Sequence, residues 1–202
     1  MKTKVFVIGF HKTGTTSLEL ALKQLGFKVC GVDKNLLKFK NKEDLNEYIE
    51  TKLEKWDAVQ EMPWPLIYKN LYKLYPIAKF ILTYRDSEEW FNSVVRFFGS
   101  IRFPFHKKIY GVPCAEGYEK EYKAIYNKHN MDVLNFFSDK NNFLLMEPKQ
   151  NFNYEALCYF LGIENLPNEN FPHERHHSKR ILPNYKLYRD LRSLYWNFKK
   201  NY

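Results

Sequence analysis

The chain has 202 residues, 45% of them hydrophobic and 18% aromatic, which is enough apolar material for the core of one large domain. This composition excludes an intrinsically disordered chain, and no apolar run approaches the roughly 18 residues that a membrane-spanning helix needs. The net charge of +9 favours an anionic ligand, but the lysines and arginines are scattered among acids instead of forming the stripe typical of nucleic-acid binding. We therefore expect neither nucleic acid nor a membrane as a partner.

Cysteine use and the amino terminus both indicate an intracellular protein. Cys30, Cys114 and Cys158 are far apart and form no CxxC pair, which argues against a disulfide scaffold and against a zinc knuckle. Met-Lys-Thr-Lys leads directly into an apolar strand, without the longer apolar segment of a signal peptide. We expect a cytoplasmic location.

Short apolar runs alternate with amphipathic segments along the chain. The run over 5–8 predicts the first strand, and the leucines spaced along 18–25 predict a helix that stops at Gly26. Residues 99–114 are rich in glycine, proline and aromatic residues and predict a long loop that could cover a site, and residues 163–183 are predicted to be irregular. The further strands are predicted over 27–32, 58–59, 79–84 and 143–146, and the further helices over 42–55, 63–74, 86–95, 116–137, 151–161 and 185–198.

The alternation of buried strands and helices predicts an α/β fold. We expect a central parallel sheet of about five strands with helices on both faces. No repeat or linker divides the sequence. The chain is therefore predicted to be a single domain over residues 1–202.

The loop after the first strand has the composition of a phosphate-binding loop. Gly9 and Gly14 are spaced so that the backbone can curl and direct successive N–H groups inward, and a helix amino terminus follows. The alternative is an ordinary strand-to-helix turn that happens to contain glycine. Its position, between the clearest strand and a helix, favours the phosphate-binding interpretation.

The lysine of this loop does not stand where nucleoside triphosphatases carry theirs. Those enzymes place a lysine directly after the second glycine, whereas Thr15 occupies that position here and Lys12 precedes Gly14 by two residues. A lysine inside the loop suits negative charge on a leaving phosphate better than a terminal phosphoryl group held with Mg²⁺. The third and fourth strands also lead into Gln60-Glu61 and Arg85-Asp86, which offer no convincing magnesium aspartate.

Residues 11–17 (His-Lys-Thr-Gly-Thr-Thr-Ser) resemble the 5′-phosphosulfate loop of the sulfotransferases that use 3′-phosphoadenosine 5′-phosphosulfate (PAPS). A second mark of that family is an arginine that ends a later strand, followed eight residues on by a serine, and Arg85 and Ser93 fit it. The resemblance implies a fold like that of P-loop nucleotide-binding proteins, with PAPS as cofactor and adenosine 3′,5′-bisphosphate (PAP) as product. It also implies that Arg85 and Ser93 hold the 3′-phosphate. The residues that it assigns to the 5′-phosphosulfate are Lys12, Thr13, Gly14, Thr15, Thr16 and Ser17.

Weaker similarity to one small soluble branch of the family extends over nearly the whole chain. It includes residues 57–63, 75–86, 126–130, 157–162 and 171–173. The chain departs from that branch at two places. Glu61 stands where the branch commonly has aspartate, and residues 175–178 (Arg-His-His-Ser) stand where the branch has an asparagine followed by a small polar run.

The position of Arg85 is reasonable without the resemblance, because open α/β folds bind ligands at the carboxyl edge of the sheet. Ser93, two turns into the next helix, could present its hydroxyl to the same anion. The alternative is a surface ion pair for Arg85 and an ordinary helix-face position for Ser93.

Sulfuryl transfer needs a base, and Glu61 is the first candidate because it follows the third strand. The alternative for Glu61 is an acid favoured by the dipole of the helix that follows it. His11, inside the loop, could be a second base or could orient the acceptor, and a packing role is equally open. His106 and His129 are weaker candidates, and His129 is predicted to be a packing histidine.

The basic segment after residue 172 could close the site. The resemblance implies that Arg175, Lys179 and Arg180 form a lid over the cofactor phosphates, and the alternative is a solvated basic turn. Histidines at 173, 176 and 177 lack a spaced cysteine or acid that would complete a zinc site, so we expect no metal.

The sequence therefore predicts a PAPS-dependent sulfotransferase that transfers a sulfuryl group in line to a hydroxyl or amine, without metal. One alternative is an ATP- and Mg²⁺-dependent small-molecule kinase with an atypical loop, and another is a non-catalytic phosphonucleotide-binding protein. The acceptor, whether a small molecule, a glycan or a peptide, and the oligomeric state are left open.

Overall fold

The computed structural model describes residues 2–173, and within them five short strands form a parallel sheet. Their order is β2-β3-β1-β4-β5, and each neighbouring pair runs parallel. This confirms the predicted α/β class and sheet. The strands are β1 (Val5–Val7), β2 (Val29–Cys30), β3 (Ala58–Val59), β4 (Lys79–Thr83) and β5 (Phe143–Met146).

Helices connect these strands, because parallel neighbours cannot be joined by a tight hairpin. The second helix has the bounds that the spacing of its leucine and isoleucine residues predicts, and none of the helices over 2–173 is long and apolar enough to cross a membrane. The helices are α1 (Thr15–Gln24), α2 (Lys42–Lys55), α3 (Tyr68–Leu74), α4 (Ser87–Phe98), α5 (Pro104–Tyr110), α6 (Glu119–Phe137) and α7 (Tyr154–Leu161), with 3₁₀ turns at Lys34–Leu37 and Trp64–Ile67.

The described residues divide into two compact units, one of residues 2–85 with 129–173 and the other of residues 86–128. The single domain over 1–202 stays a prediction.

In the first unit the sheet has an apolar core on each face. Val5 and Val7 of β1 belong to one core, and Phe6 and Ile8 belong to the other, because alternate side chains of a strand point to opposite faces. The predicted helices on both faces are confirmed by the packing of α1 and α7 in the first core and of α2, α3 and α6 in the second.

Aromatic rings form the interior of the second unit. Trp90 stacks on Tyr126 with ring centroids 4.0 Å apart, and Tyr110 stacks on Tyr122 at 3.8 Å. The His106 Nδ1 lies 2.9 Å from the Tyr122 hydroxyl, and burial lowers the pKa of His106 to about 4. His106 is therefore a neutral histidine inside this aromatic core.

The predicted loop over 99–114 is wrong, because it contains the helix α5. Pro104 occupies the first turn, where its missing N–H costs no hydrogen bond, and Gly111 ends the helix with φ +74°. The buried side chains of His106, Ile109 and Tyr110 lie along one side of α5. Packing of this aromatic face outweighs the glycine and proline content on which the loop prediction rested.

Several other elements differ from their predicted bounds: α6 and α7 each begin three residues later, at Glu119 and Tyr154, and two further elements differ more. The strand predicted over 27–32 is only Val29–Cys30, because the residues before it close the end of α1. The Phe27 N–H donates to the Leu22 carbonyl, and the Gly26 N–H donates to the Lys23 carbonyl. The helix predicted over 63–74 divides into a 3₁₀ turn and α3. The helix predicted over 185–198, and the irregular segment beyond residue 173, lie outside the described residues.

The end of β1 approaches the end of β4 so closely that only glycine fits between them. A Cβ atom on Gly9 would overlap the hydroxyl and the carbonyl oxygen of Thr83 and would lie 2.8 Å from its nitrogen. Because Thr83 is fully buried at the end of a central strand, neither partner can move aside cheaply.

We expect Gly9→Ala to lower the free energy of unfolding by about 1–3 kcal/mol, the usual range for an overpacked core. Gly31→Ala is the matched control, because a Cβ there would meet no heavy atom of residues 2–173 within 4 Å, and we expect a change within about 0.5 kcal/mol. Urea unfolding followed by circular dichroism measures both. Equal stabilities for the two variants would contradict the close approach.

Candidate active site

The loop between β1 and α1 is tied to β4 by hydroxyl groups. The Thr13 hydroxyl donates to the Phe10 carbonyl at 2.5 Å and also lies 2.6 Å from the Thr83 hydroxyl. Because Thr13 has a single hydroxyl proton and gives it to Phe10, Thr83 must be the donor in the second bond. Both threonines are fully buried, so the loop is fixed at the carboxyl edge of the sheet.

Left-handed backbone gives this loop its curl. Gly14 has φ +104°, and Lys12 has φ +66°, a conformation that non-glycine residues rarely adopt. A Cβ on Gly14 would lie 2.7 Å from the ring of Phe152, so both the space and the dihedral angle require glycine there. Strained non-glycine backbone of this kind is concentrated at functional sites.

The amino terminus of α1 has the electrostatics of an anion site. Its first internal hydrogen bond runs from the Leu18 N–H to the Gly14 carbonyl, so the N–H groups of Thr15, Thr16 and Ser17 precede the regular ladder. Gly14 supplies no side-chain cap, and the first turn contains no acid that would neutralise the positive end of the helix dipole. Residues 12–17, which we call the cradle, thus lie at a helix end that favours a phosphate.

Glu61 lies beside this cradle. It follows β3 by two residues, and its carboxylate Oε1 accepts a hydrogen bond from the Thr15 hydroxyl in the first turn of α1. Glu61 is also left-handed, with φ +67°. The structure therefore brings together a cradle residue and the carboxylate that the sequence nominates as base.

Several opposing influences act on the ionisation of Glu61. Burial raises the pKa of this carboxyl, and the negative charge of Glu19 raises it further. The hydrogen bond from Thr15 and the positive charge of Lys12 lower the pKa, but burial is the larger influence and the net shift is upward. A carboxylate with a raised pKa is a better proton acceptor than an ordinary glutamate.

Gln60 is a polar residue of the site that the sequence did not single out. Its Nε2 donates to Glu19 Oε2 at 2.7 Å, and Lys23 holds the other Glu19 oxygen at 2.5 Å. Because a carboxylate only accepts hydrogen bonds, the amide orientation of Gln60 is fixed, and its Oε1 must face away from Glu19. That oxygen is buried and has no hydrogen-bond partner in residues 2–173. Only its place before Glu61 at the end of a strand could have indicated it.

Arg85 lies at the same edge of the sheet as the loop. It is two residues beyond Thr83, whose hydroxyl bonds Thr13, and its side chain is half-buried. Ser93 lies within α4, in the other unit, and is also half-buried. A shared grip of Arg85 and Ser93 on one phosphate stays a prediction.

The histidines near the loop are buried. His129 Nε2 lies 2.8 Å from the Ile8 carbonyl and donates to it, and its ring packs against Phe10 with centroids 4.5 Å apart. Desolvation lowers the pKa of His129 to about 4, so it is a neutral packing histidine. His11 is buried within the loop itself, and its role as a second base stays a prediction.

The predicted lid lies beyond the described residues. Arg175, Lys179 and Arg180 are not among residues 2–173, and neither are two of the three clustered histidines, whereas His173 is described and exposed. Within residues 2–173 no group of three histidine, cysteine or acidic side chains could hold a metal ion.

Comparison with known proteins identifies the family. A family model described as a sulfotransferase domain matches residues 4–115 and 102–180. The Ava biosynthesis cluster protein M of Aspergillus versicolor is 24% identical over 239 aligned residues, which cover 98% of this chain and 88% of that protein. Among solved structures, shikimate kinase from Bacteroides thetaiotaomicron aligns with a TM-score of 0.48 and 12% identity, over 79% of this chain and 94% of that one. Because the family model extends over most of its length, the chain belongs to the sulfotransferase domain family, which indicates a transferase.

Proposed function

We propose that this chain transfers a sulfuryl group from PAPS to a hydroxyl or amine acceptor. The observation that carries the proposal is the hydrogen bond between Thr15, at the start of the cradle helix, and Glu61. It joins an anion-binding element and a carboxylate of raised pKa in one site, and the sulfotransferase family membership supports sulfuryl transfer as the chemistry.

The cradle fits the 5′ end of the donor. The curled loop and the uncapped end of α1 supply backbone N–H groups, and Lys12 supplies a positive charge beside them. When bound, PAPS supplies the activated sulfuryl group. The role of Lys12 is then to stabilise the negative charge that the departing phosphate oxygen acquires, so that no metal ion is required.

Glu61 and Gln60 act on the acceptor in this proposal. As the acceptor oxygen or nitrogen forms its bond to sulfur, the bond between sulfur and the 5′-phosphate oxygen breaks, and the acceptor proton passes to the Glu61 carboxylate. The Gln60 Oε1, which has no hydrogen-bond partner among residues 2–173, can accept a hydrogen bond from a hydroxyl or amine of the acceptor. An acceptor that supplies this hydrogen would relieve the cost of a buried, unsatisfied oxygen.

The remaining residues would serve the other end of the donor. Arg85 and Ser93 would hold the 3′-phosphate, and Arg175 and Lys179 would cover it.

The A. versicolor relative is named for a biosynthesis cluster, which favours a small-molecule acceptor over a glycan or a peptide. Within residues 2–173 all cysteines are free, in keeping with a reducing cytoplasmic location.

PAP should stabilise the protein, whereas ATP with Mg²⁺ and a single-stranded oligonucleotide should not. At a PAP concentration 100 times its Kd the gain is about 2.7 kcal/mol, and thermal unfolding measures it. Stabilisation by ATP with Mg²⁺ alone would identify a kinase, and stabilisation by the oligonucleotide alone a nucleic-acid-binding protein. Stabilisation by PAP is also expected of a non-catalytic phosphonucleotide-binding protein, from which turnover of PAPS distinguishes the enzyme.

Replacing Lys12 should slow turnover while the fold survives. We expect Lys12→Ala to lower the rate of PAP release from PAPS, with 2-naphthol as acceptor probe, by about 10²–10³-fold, because leaving-group charge loses its stabilisation. Lys38→Ala, at an exposed lysine, is the control and should retain the rate. Equal rates for both variants would remove Lys12 from the mechanism.

Glu61→Gln should separate catalysis from donor binding. Glutamine retains an oxygen for the Thr15 hydroxyl but cannot take up a proton, so we expect PAP affinity to persist and the rate to fall by about 10²–10⁴-fold. In the wild type the rate should fall as the pH drops through the raised pKa of Glu61.

The stability of the unbound protein provides a second check on Glu61. Because the pKa of Glu61 is raised on folding, the wild type gains stability as the pH falls through that pKa, and above it the folded protein bears the cost of a desolvated charge. Glu61→Gln should therefore be at least as stable as the wild type at pH 7. A variant that loses PAP affinity and stability but keeps its rate would show that Glu61 is structural.

A further inference from the structure

Two neighbouring residues of the first unit, Gln60 and Glu61, are each held by a residue of α1. Thr15 donates to Glu61, and Glu19, one helical turn further on, accepts from Gln60. Residues four apart lie on the same face of a helix, so one face of α1 contacts both residues at the exit of β3.

This double contact restrains a strained segment. Glu61 has φ +67°, a conformation that costs a non-glycine residue free energy and persists only where the surroundings impose it. Gln60 is fully buried, its backbone N–H bonds the Cys30 carbonyl, and its side chain is oriented by Glu19. Glu19 therefore orients the side chain of the residue that directly precedes Glu61.

The charges around Glu61 are those of the loop and of α1. Lys12 attracts its ionised form and Glu19 repels it, while Lys23 forms an ion pair with Glu19 at 2.5 Å. Lys23 therefore partly neutralises the charge of Glu19.

We propose that Glu19 is a positioning residue for the Glu61 carboxyl: it fixes Gln60 at the exit of β3, and its charge, tempered by Lys23, favours uptake of a proton by Glu61. This inference rests on the proposed function in one respect, because it takes the proton that Glu61 binds to come from the acceptor. The contacts themselves, and the test below, do not require turnover.

The test is an NMR titration of the full chain labelled with ¹³C at the glutamate side-chain carboxyl, in which the Glu61 signal is identified by its loss in Glu61→Gln. In Glu19→Gln the titration midpoint of Glu61 should move to lower pH, because a repelling charge is removed. In Lys23→Met it should move to higher pH, because the charge of Glu19 is no longer balanced. Glu47→Gln, the same change at an exposed position of α2, should leave the midpoint unchanged.

Opposite shifts in the two α1 variants support the proposed charge effect of Glu19 on Glu61, since a general loosening of the structure would move the midpoint the same way in both. No shift in either variant, or shifts of the same sign, would overturn it. If Glu19→Gln fails to fold, Lys23→Met still decides, because the Lys23 side chain is half exposed and its replacement leaves the Glu19–Gln60 bond in place.

Donor binding and turnover distinguish failure of this inference from failure of the proposed function. With PAPS and 2-naphthol, the acid limb of the pH–rate profile should move to lower pH in Glu19→Gln, with PAP affinity unchanged. A wild type that does not bind PAP would refute the proposed function, while the titrations would still decide whether Glu19 acts on Glu61.

Discussion

The close approach of two strand ends is the constraint on which the rest of the site depends. Gly9, after β1, contacts Thr83 at the end of β4 without room for a side chain, and the Thr83 hydroxyl donates to Thr13. The loop is therefore fixed to the sheet at both of its ends before it enters α1. A loop held in this way keeps its N–H groups directed without rearrangement, which is the preorganisation that charge stabilisation requires.

From that loop the arrangement extends through α1 to β3. Thr15 and Glu19 contact Glu61 and Gln60, so the helix that would bind an anion at its end also holds the carboxylate proposed as base. The left-handed conformations of Lys12 and Glu61 cost stability, and so does the buried Gln60 oxygen, which finds no partner in the described part of the chain. Concentration of such costs at one place is typical of a functional site.

Local patterns in the sequence predicted the elements well where one signal dominated. The apolar run of β1, the leucine and isoleucine spacing of α2 and the Asp86 cap of α4 each lie where the sequence indicates. The helix α5 was missed because glycine and proline at its ends were interpreted as a loop. Gln60 and the Thr13–Thr83 bond could not be predicted, because they depend on partners 41 and 70 residues away, which only the sheet topology brings together.

A crystal structure of the protein with PAP would decide whether the loop between β1 and α1 binds the donor. We expect the 5′-phosphate against the N–H groups of residues 13–17 and the Lys12 ammonium, and the 3′-phosphate against Arg85. We also expect Glu61 to remain bonded to Thr15 and to face the position that the sulfur would occupy. A nucleotide bound elsewhere, or one whose 5′-phosphate does not contact the loop between β1 and α1, would contradict this expectation.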